Sequence, residues 1–236
     1  MSQPIKVMVV MPENNTTIVP EMTALCPALE PLAVARVKRP PGTLLLEDLP
    51  AYGEATMEAV APFAGEPWDL VIYGCTAAGF LGGRRGNARM VERLRERTGA
   101  EVVSTAEAMV DVLRESGVSE TAVVTPYLQP VNDGLRGYLD ESGIRVGTLN
   151  SFFCKTTAEL GAITESEVLG LARRTVTSSS QSLFVACSQL PTLRAIAELR
   201  RELDIPVWSS ISATAWAGAR ALAGRGVSMQ FDDAVR

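Results

Sequence analysis

The sequence has 236 residues, of which 47% are hydrophobic and 21% are charged, and its formal net charge at neutral pH is −5. These values are typical of a soluble α/β protein with a substantial core, and they exclude a basic surface for nucleic acid. The chain has no histidine, which excludes a Ser-His-Asp or Cys-His triad, a histidine-ligated zinc site and an imidazole proton shuttle.

Strand and helix patterns alternate through the first half of the chain. They predict strands over residues 5–11, 32–37, 68–73 and 101–104, and helices over 18–29, 54–63, 89–98 and 105–116. The turn after the first strand is dense in Asn and Thr. It predicts either a simple helix cap or a site in which Asn15 and helix N–H groups hold a carboxylate.

Two connections in this half are predicted to be loops. The first, over residues 39–53, places Tyr52 either in a lid over a cleft or on the surface of its own helix. The second, over residues 79–87, contains four glycines and two arginines, and its arginines either attract an acid or lie on solvated surface.

The second half repeats this alternation. It predicts strands over residues 118–125, 183–187 and 206–209, a strand and loop over 145–153, and helices over 131–142, from 165 onward, over 191–203 and over 213–222. Tyr127 follows the first of these strands, at the position equivalent to the Asn-rich turn. Its phenol is suited to donate a hydrogen bond to a substrate carboxylate.

Three pairs of segments match between the halves, always in the same order and offset by 105–115 residues. The pairs are 6–14 with 121–129, 71–80 with 183–192, and 101–105 with 206–210. The repeat predicts two α/β lobes related by a pseudo-twofold axis, each a mostly parallel sheet flanked by helices, over 1–115 and 116–212. A C-terminal helix within 213–236 is expected to pack back on the first lobe.

Two of the four cysteines stand at equivalent positions, because Cys75 and Cys187 each end a predicted strand. The carboxyl ends of parallel strands are where open α/β folds bind ligands, so the two thiols are expected to face each other across an active-site cleft between the lobes. Helix N-termini predicted directly after both cysteines would favour their thiolate forms. The alternative is that each is only a small buried hydrophobe.

All four cysteines are expected to be free thiols, because none lies in a C-x-x-C pair and the protein is expected to be cytoplasmic. That location is expected because the sequence has no apolar run of the ~18 residues that a membrane span needs, and a short polar start leads directly into a strand. We expect no membrane partner. Cys26, among apolar neighbours, is interpreted as a core residue.

Four motifs are similar to those of one enzyme superfamily: Asn15-Thr-Thr17, Gly74-Cys75, Thr125-Pro-Tyr127 with Pro130, and Ala186-Cys-Ser-Gln-Leu-Pro-Thr192. With these motifs the chain resembles the aspartate/glutamate racemase superfamily, and within it the maleate cis-trans isomerase and arylmalonate decarboxylase branch. The resemblance implies Cys75 as nucleophile, Cys187 as acid/base, and Asn15 and Tyr127 as ligands of a substrate carboxylate. It also implies that no metal and no cofactor are needed.

Two departures from the isomerase pattern bear on the substrate. Where maleate isomerases have a substrate-binding Asn, this chain has Thr157, which we take as a substrate-binding candidate. The segment after Cys75 is not that of the isomerases either. Arylmalonate decarboxylases resemble the chain less at this cysteine, since they have Gly there.

The leading hypothesis is therefore a cofactor-independent isomerase of a small carboxylate or dicarboxylate. The Cys75 thiolate would add to a cis double bond, and Asn15, Thr76, Tyr127 and Ser188 would hold the resulting enediolate-like charge. Racemisation of an α-substituted acid, decarboxylation of an arylmalonate with Cys187 as proton donor, and non-catalytic dicarboxylate binding are alternatives. A homo-oligomer is a default expectation.

Overall fold

A computed structural model of the protein describes residues 4–39, 42 and 44–229, and within these residues the strands form two four-stranded sheets. The strands are β1 (Val7–Pro12), β2 (Ala33–Val37), β3 (Leu70–Tyr73), β4 (Glu101–Ser104), β5 (Glu120–Thr125), β6 (Arg145–Ser151), β7 (Leu183–Val185) and β8 (Val207–Ser209). Part of the predicted loop, at residues 40, 41 and 43, and the predicted C-terminal segment beyond 229 lie outside the described residues.

The two sheets share one topology. Their strand orders are β2-β1-β3-β4 and β6-β5-β7-β8, and every adjacent pair is parallel. The strand order reverses between β1 and β3 in the first sheet and between β5 and β7 in the second, which is where open α/β sheets form a crevice. The prediction of two matched α/β lobes is confirmed.

The helices cover the faces of the sheets. They are α1 (Ile18–Leu25), α2 (Leu49–Val60), α3 (Thr76–Leu81), α4 (Gly83–Thr98), α5 (Thr105–Glu115), α6 (Gln129–Asp140), α7 (Thr157–Ala162), α8 (Glu165–Thr175), α9 (Leu193–Glu202) and α10 (Ser210–Ala221). Helix α3 packs against α6 of the second sheet, and α10 packs on α5 and α1 of the first. No described helix is both long and apolar enough to cross a membrane.

Helix α2 begins earlier than the sequence predicted, so the connection after β2 is shorter. Pro50 lies in its first turn, where the N–H that proline lacks has no helical partner to lose. Tyr52 therefore lies inside a helix and is only 2% exposed. The surface position considered for Tyr52 is therefore wrong, whereas its part in a lid over the cleft stays a prediction.

The glycine-rich stretch after Cys75 was also wrongly predicted as a loop, because it forms α3 and the start of α4. Glycine serves close packing there. A Cβ on Gly79 would lie 2.6 Å from the Cβ of Ala106 on α5, far inside contact distance. Gly83, where α4 begins, has a φ of +66°, which favours glycine.

Substituting Gly79→Ala should lower the free energy of unfolding by about 1–3 kcal/mol, because α3 and α5 would have to separate. Gly86→Ala is the matched control, since a Cβ there meets nothing within 4 Å. It should be neutral or stabilising by up to about 1 kcal/mol. Denaturant unfolding of both variants measures the difference, and equal effects would contradict the packing argument.

Candidate active site

A small cavity of about 40 Å³ lies between the lobes and contains both cysteines that the sequence singled out. Cys75 and Cys187 are each only 6% exposed. The other described residues that line it are Pro12, Asn15, Arg39, Leu44, Thr76, Ala77, Pro126, Tyr127, Cys154, Leu160, Ser188 and Gln189. The duplication therefore brings its two cysteines to one site.

Cys75 reaches the cavity from the carboxyl end of β3, and it is the residue from which α3 begins. The preceding Gly74 donates its backbone N–H to the Val10 carbonyl at 2.8 Å. A Cβ on Gly74 would lie 2.9 Å from Cδ1 of Ile18, so only glycine permits this close approach of β3 to α1. Backbone packing thus fixes the position of the thiol.

The phenol of Tyr52 is directed at Cys75 from α2. Its hydroxyl oxygen is buried and has no hydrogen-bond partner of normal geometry among the described residues. Burial raises the pKa of Tyr52 well above its ordinary value, and negative charge on Cys75 raises it further. The phenol therefore stays protonated and can donate to a charged sulfur.

Cys187 follows β7 and enters a tight turn, so the helix predicted directly after it is wrong. The Leu190 N–H donates to the Cys187 carbonyl at 3.2 Å, and α9 begins only at Leu193. The Gln189 N–H approaches the Cys187 Sγ at 3.5 Å, which partly replaces the expected helix N-terminus.

Burial raises the pKa of the Cys187 thiol to about 11, and this outweighs the lowering effects of the Gln189 N–H and the Tyr127 hydroxyl. The sequence-based expectation of a thiolate at Cys187 is therefore wrong for the unliganded protein. The thiol is protonated at neutral pH, which suits a proton donor.

Alkylation of Cys187 by iodoacetamide should be slow at neutral pH and should accelerate until the pH approaches about 11, because only the thiolate reacts. Peptide mass spectrometry can follow the rate at this residue across pH. In urea-unfolded protein the same residue should titrate at about pH 8.5. A folded-state rate that levels off below pH 9 would contradict the effect of burial.

Tyr127 comes from the turn after β5, and its ring packs edge-to-face on Phe80 of α3 with 5.7 Å between centroids. Its carbonyl accepts hydrogen bonds from Asn132 Nδ2 at 3.0 Å and Ser151 Oγ at 2.6 Å. The hydroxyl is buried and has no partner of normal geometry among the described residues. Burial and then charge on Cys187 raise the pKa of Tyr127, so it remains a donor.

The residues that follow the two cysteines, Thr76 and Ser188, are hydrogen-bonded to each other. The Ser188 N–H donates to Thr76 Oγ1 at 3.2 Å, and Ser188 Oγ donates to the Gly74 carbonyl at 2.6 Å. Asn15 Nδ2 donates to Ser188 Oγ at 3.1 Å and to its carbonyl at 3.2 Å. This network holds the two thiol-bearing turns in register across the cleft.

Asn15 also caps α1, since its Oδ1 accepts from the N–H groups of Thr17 at 2.9 Å and Ile18 at 3.1 Å. The side chain of Asn15 therefore acts as a helix cap and also lines the cavity. A bound carboxylate would have to share or replace its bonds to Ser188.

Thr157 is the one predicted site residue that the structure does not bring to the cavity. It is the half-exposed first residue of α7, next to Thr156, which caps that helix. From this part of the chain, Cys154 and Leu160 line the cavity instead.

Sequence reasoning also missed Arg39 as a cavity residue. A signal for it existed, because Arg39 follows β2 and so lies at the same sheet edge as Cys75.

Among the residues described, no group of three or more Cys, Asp or Glu side chains is arranged to hold a metal ion.

The fold and the cavity define a class: two-lobed parallel α/β proteins with one cysteine from each lobe at a shared buried site. The model of the arylmalonate decarboxylase family matches residues 55–231, and the chain belongs to that family. The resemblance to the maleate isomerase and arylmalonate decarboxylase branch is thereby confirmed.

Two curated relatives represent the two activities. The maleate isomerase of Nocardia farcinica is 29% identical over 222 residues, covering 90% of this chain and 88% of the relative. The arylmalonate decarboxylase of Bordetella bronchiseptica is 29% identical over 165 residues, covering 67% of this chain and 69% of the relative.

Solved structures of a maleate isomerase and of an arylmalonate decarboxylase are also similar to this chain. A cysteine-to-serine variant of the Nocardia farcinica maleate cis-trans isomerase with a covalently bound succinylcysteine intermediate matches with a TM-score of 0.85 and 27% identity over 93% of each chain. A liganded arylmalonate decarboxylase, with one glycine changed to cysteine and one cysteine to serine, matches with a TM-score of 0.82. It is 25% identical and covers 97% of this chain and 96% of that one.

Proposed function

We propose that this protein is a cofactor-independent cytoplasmic enzyme that isomerises a small cis-enedioate such as maleate to its trans form. The observation that supports this most strongly is that Cys75, Cys187 and Tyr127 line one cavity, with the Tyr52 phenol of α2 directed at Cys75 from beside it. Without histidine, two thiols and two phenols supply the nucleophile and the proton donors. The similarity to maleate isomerases supports the same reaction.

In the first step the Cys75 thiolate adds to one carbon of the double bond. A carbon–sulfur bond forms, and the π electrons move to the other carbon and its carboxylate as an enediolate. Tyr127 is suited to hold this charge because its hydroxyl is buried and has no partner of normal geometry. Asn15, Thr76 and Ser188 would exchange bonds within their network for bonds to the substrate.

In the second step the Cys187 thiol protonates the carbanion and becomes a thiolate, which the Tyr127 hydroxyl and the Gln189 N–H stabilise. The product is a saturated succinyl adduct on Cys75. Two observations support this step: the raised pKa of Cys187 and the succinylcysteine intermediate in the Nocardia farcinica variant.

In the third step the adduct rotates about the new single bond. The trans acid then forms by loss of a proton to Cys187 and of the sulfur to Cys75. Rotation brings the original hydrogen to the position facing Cys187, so the hydrogen that was added stays in the product. A protonated intermediate thus exchanges one hydrogen in each turnover.

Decarboxylation of an arylmalonate is the second candidate, because the matching family model is that of arylmalonate decarboxylase. Protonated Cys187 would also serve as proton donor in that reaction. The cavity argues against it, since about 40 Å³ accommodates only a few waters at about 10–15 Å³ each. An aliphatic diacid needs less widening of the cavity than an aryl group.

A substrate panel separates these functions. Purified protein should convert maleate to fumarate, detected by chromatography, and should leave phenylmalonate and a chiral 2-arylpropionate unchanged. Release of carbon dioxide from phenylmalonate without fumarate formation would favour the decarboxylase, and loss of optical activity alone would favour a racemase.

We also infer that residues 1–115 and 116–212 are the two lobes, with α10 returning to the first. The identical strand orders support the division, and the packing of α10 on α5 and α1 supports the return. Assembly into a symmetric homo-oligomer is the default for such an enzyme.

A further inference from the structure

Arg39 brings the only formal positive charge to the cavity among the described residues. It lies two residues beyond the end of β2 and lines the cavity together with Cys75 and Cys187. The other described lining residues include no Lys, Arg, Asp or Glu. Its charge is therefore not neutralised by a neighbouring carboxylate in the cavity wall.

The guanidinium is only partly satisfied. One terminal nitrogen, Nη2, donates to the Gly42 carbonyl, whereas Nε is buried and has no hydrogen-bond partner among the residues that the structure describes. Leaving a buried donor unsatisfied is costly, and a guanidinium is shaped to bind a carboxylate with two parallel N–H groups.

The positive charge of Arg39 acts on tyrosines at both ends of the site. Its positive charge lowers the pKa of Tyr52 and of Tyr127, opposing the larger effect of burial on each phenol. Tyr52 faces Cys75 and Tyr127 faces Cys187, so the charge of Arg39 acts on a phenol next to each thiol.

We propose that Arg39 binds the substrate carboxylate that does not become the enediolate, so that the site selects dianionic acids. Addition of a thiolate places the enediolate on one carboxylate only. The other carboxylate, attached to the carbon that Cys75 attacks, keeps its full negative charge and repels the incoming sulfur. A cation at this carboxylate both binds it and removes that repulsion.

This inference rests on the proposed function, yet binding can test it without turnover. In a Cys75→Ser background, calorimetry can measure the dissociation constants of maleate, succinate and maleamate, the monoamide of maleate. Arg39→Gln should weaken binding of the two diacids by about 10- to 100-fold and that of the monoamide far less. Arg39→Lys, which keeps the charge but loses the planar fork, should recover part of the loss.

Lys38→Gln is the matched control, because it removes a positive charge from an exposed neighbour and should leave all three constants unchanged. Circular dichroism checks that each variant is folded. Retention by Arg39→Gln of the full preference for diacids would overturn the inference, as would failure of the parent protein to bind either diacid. Diacid selection without fumarate formation by the wild-type protein would instead support the inference and contradict the proposed reaction.

Discussion

Cys75→Ala is expected to lower kcat for maleate isomerisation by at least about 10⁴-fold, because it removes the nucleophile that forms the covalent adduct in the proposed reaction. The protein should stay folded, since the change removes one buried sulfur atom and makes no new polar group. Steady-state kinetics measure the loss, and circular dichroism with thermal unfolding checks the fold.

Cys26→Ala is the control for this experiment. Cys26 is a buried free cysteine that packs with α1 and α10 on the other face of the first sheet, away from the cavity. Its variant should retain near wild-type kcat. If Cys75→Ala kept more than about a tenth of the activity, nucleophilic catalysis by this residue would be ruled out.

Cys187→Ser should reduce turnover by about 10²- to 10⁴-fold, the usual contribution of a general acid/base. Water can still protonate the carbanion slowly, whereas the neutral serine hydroxyl is too weak a base to remove the proton again, so the saturated adduct on Cys75 should persist. Intact-protein mass spectrometry after incubation with maleate should show a gain equal to one maleic acid molecule, located on the peptide of Cys75.

The double variant Cys75→Ala/Cys187→Ser should show no such gain, which assigns the adduct to Cys75. A Cys187→Ser variant with wild-type turnover and no adduct would contradict the acid/base role of Cys187. In that case the raised pKa of Cys187 would reflect burial of a core thiol and nothing more.

The duplicated plan and both cysteines could be predicted because their signals are local. An apolar run that ends in a cysteine identifies a buried strand and its carboxyl end, and two copies imply two equivalent lobes. Tyr127 was found for the same reason, since it follows β5 as the Asn-rich turn follows β1.

The errors concern features that depend on packing between distant segments. Gly79 indicated a loop from sequence, yet its role is contact with Ala106 on α5. Pro50 and Gly53 led to the prediction of a loop where α2 begins, so the burial of Tyr52 against Cys75 was not predicted. The raised pKa of Cys187 follows from its burial by both lobes, and a local sequence pattern cannot predict such burial.

Arg39 and Thr157 show the limits of reasoning from motifs. Motif comparison pointed to Thr157, which α7 leaves half-exposed and outside the cavity wall. Arg39 belongs to none of the four motifs, but strand topology places it at the same edge as Cys75. For Arg39, position at a sheet edge was the better guide.

A ¹H NMR time course of the wild-type protein with maleate in D₂O tests the central claim most directly. The account predicts that fumarate appears and that it contains one deuterium, because Cys187 removes the original hydrogen and its thiol exchanges with D₂O before it protonates the next adduct. Fumarate that retains both hydrogens would contradict the role of Cys187, and unchanged maleate would contradict the proposed function itself.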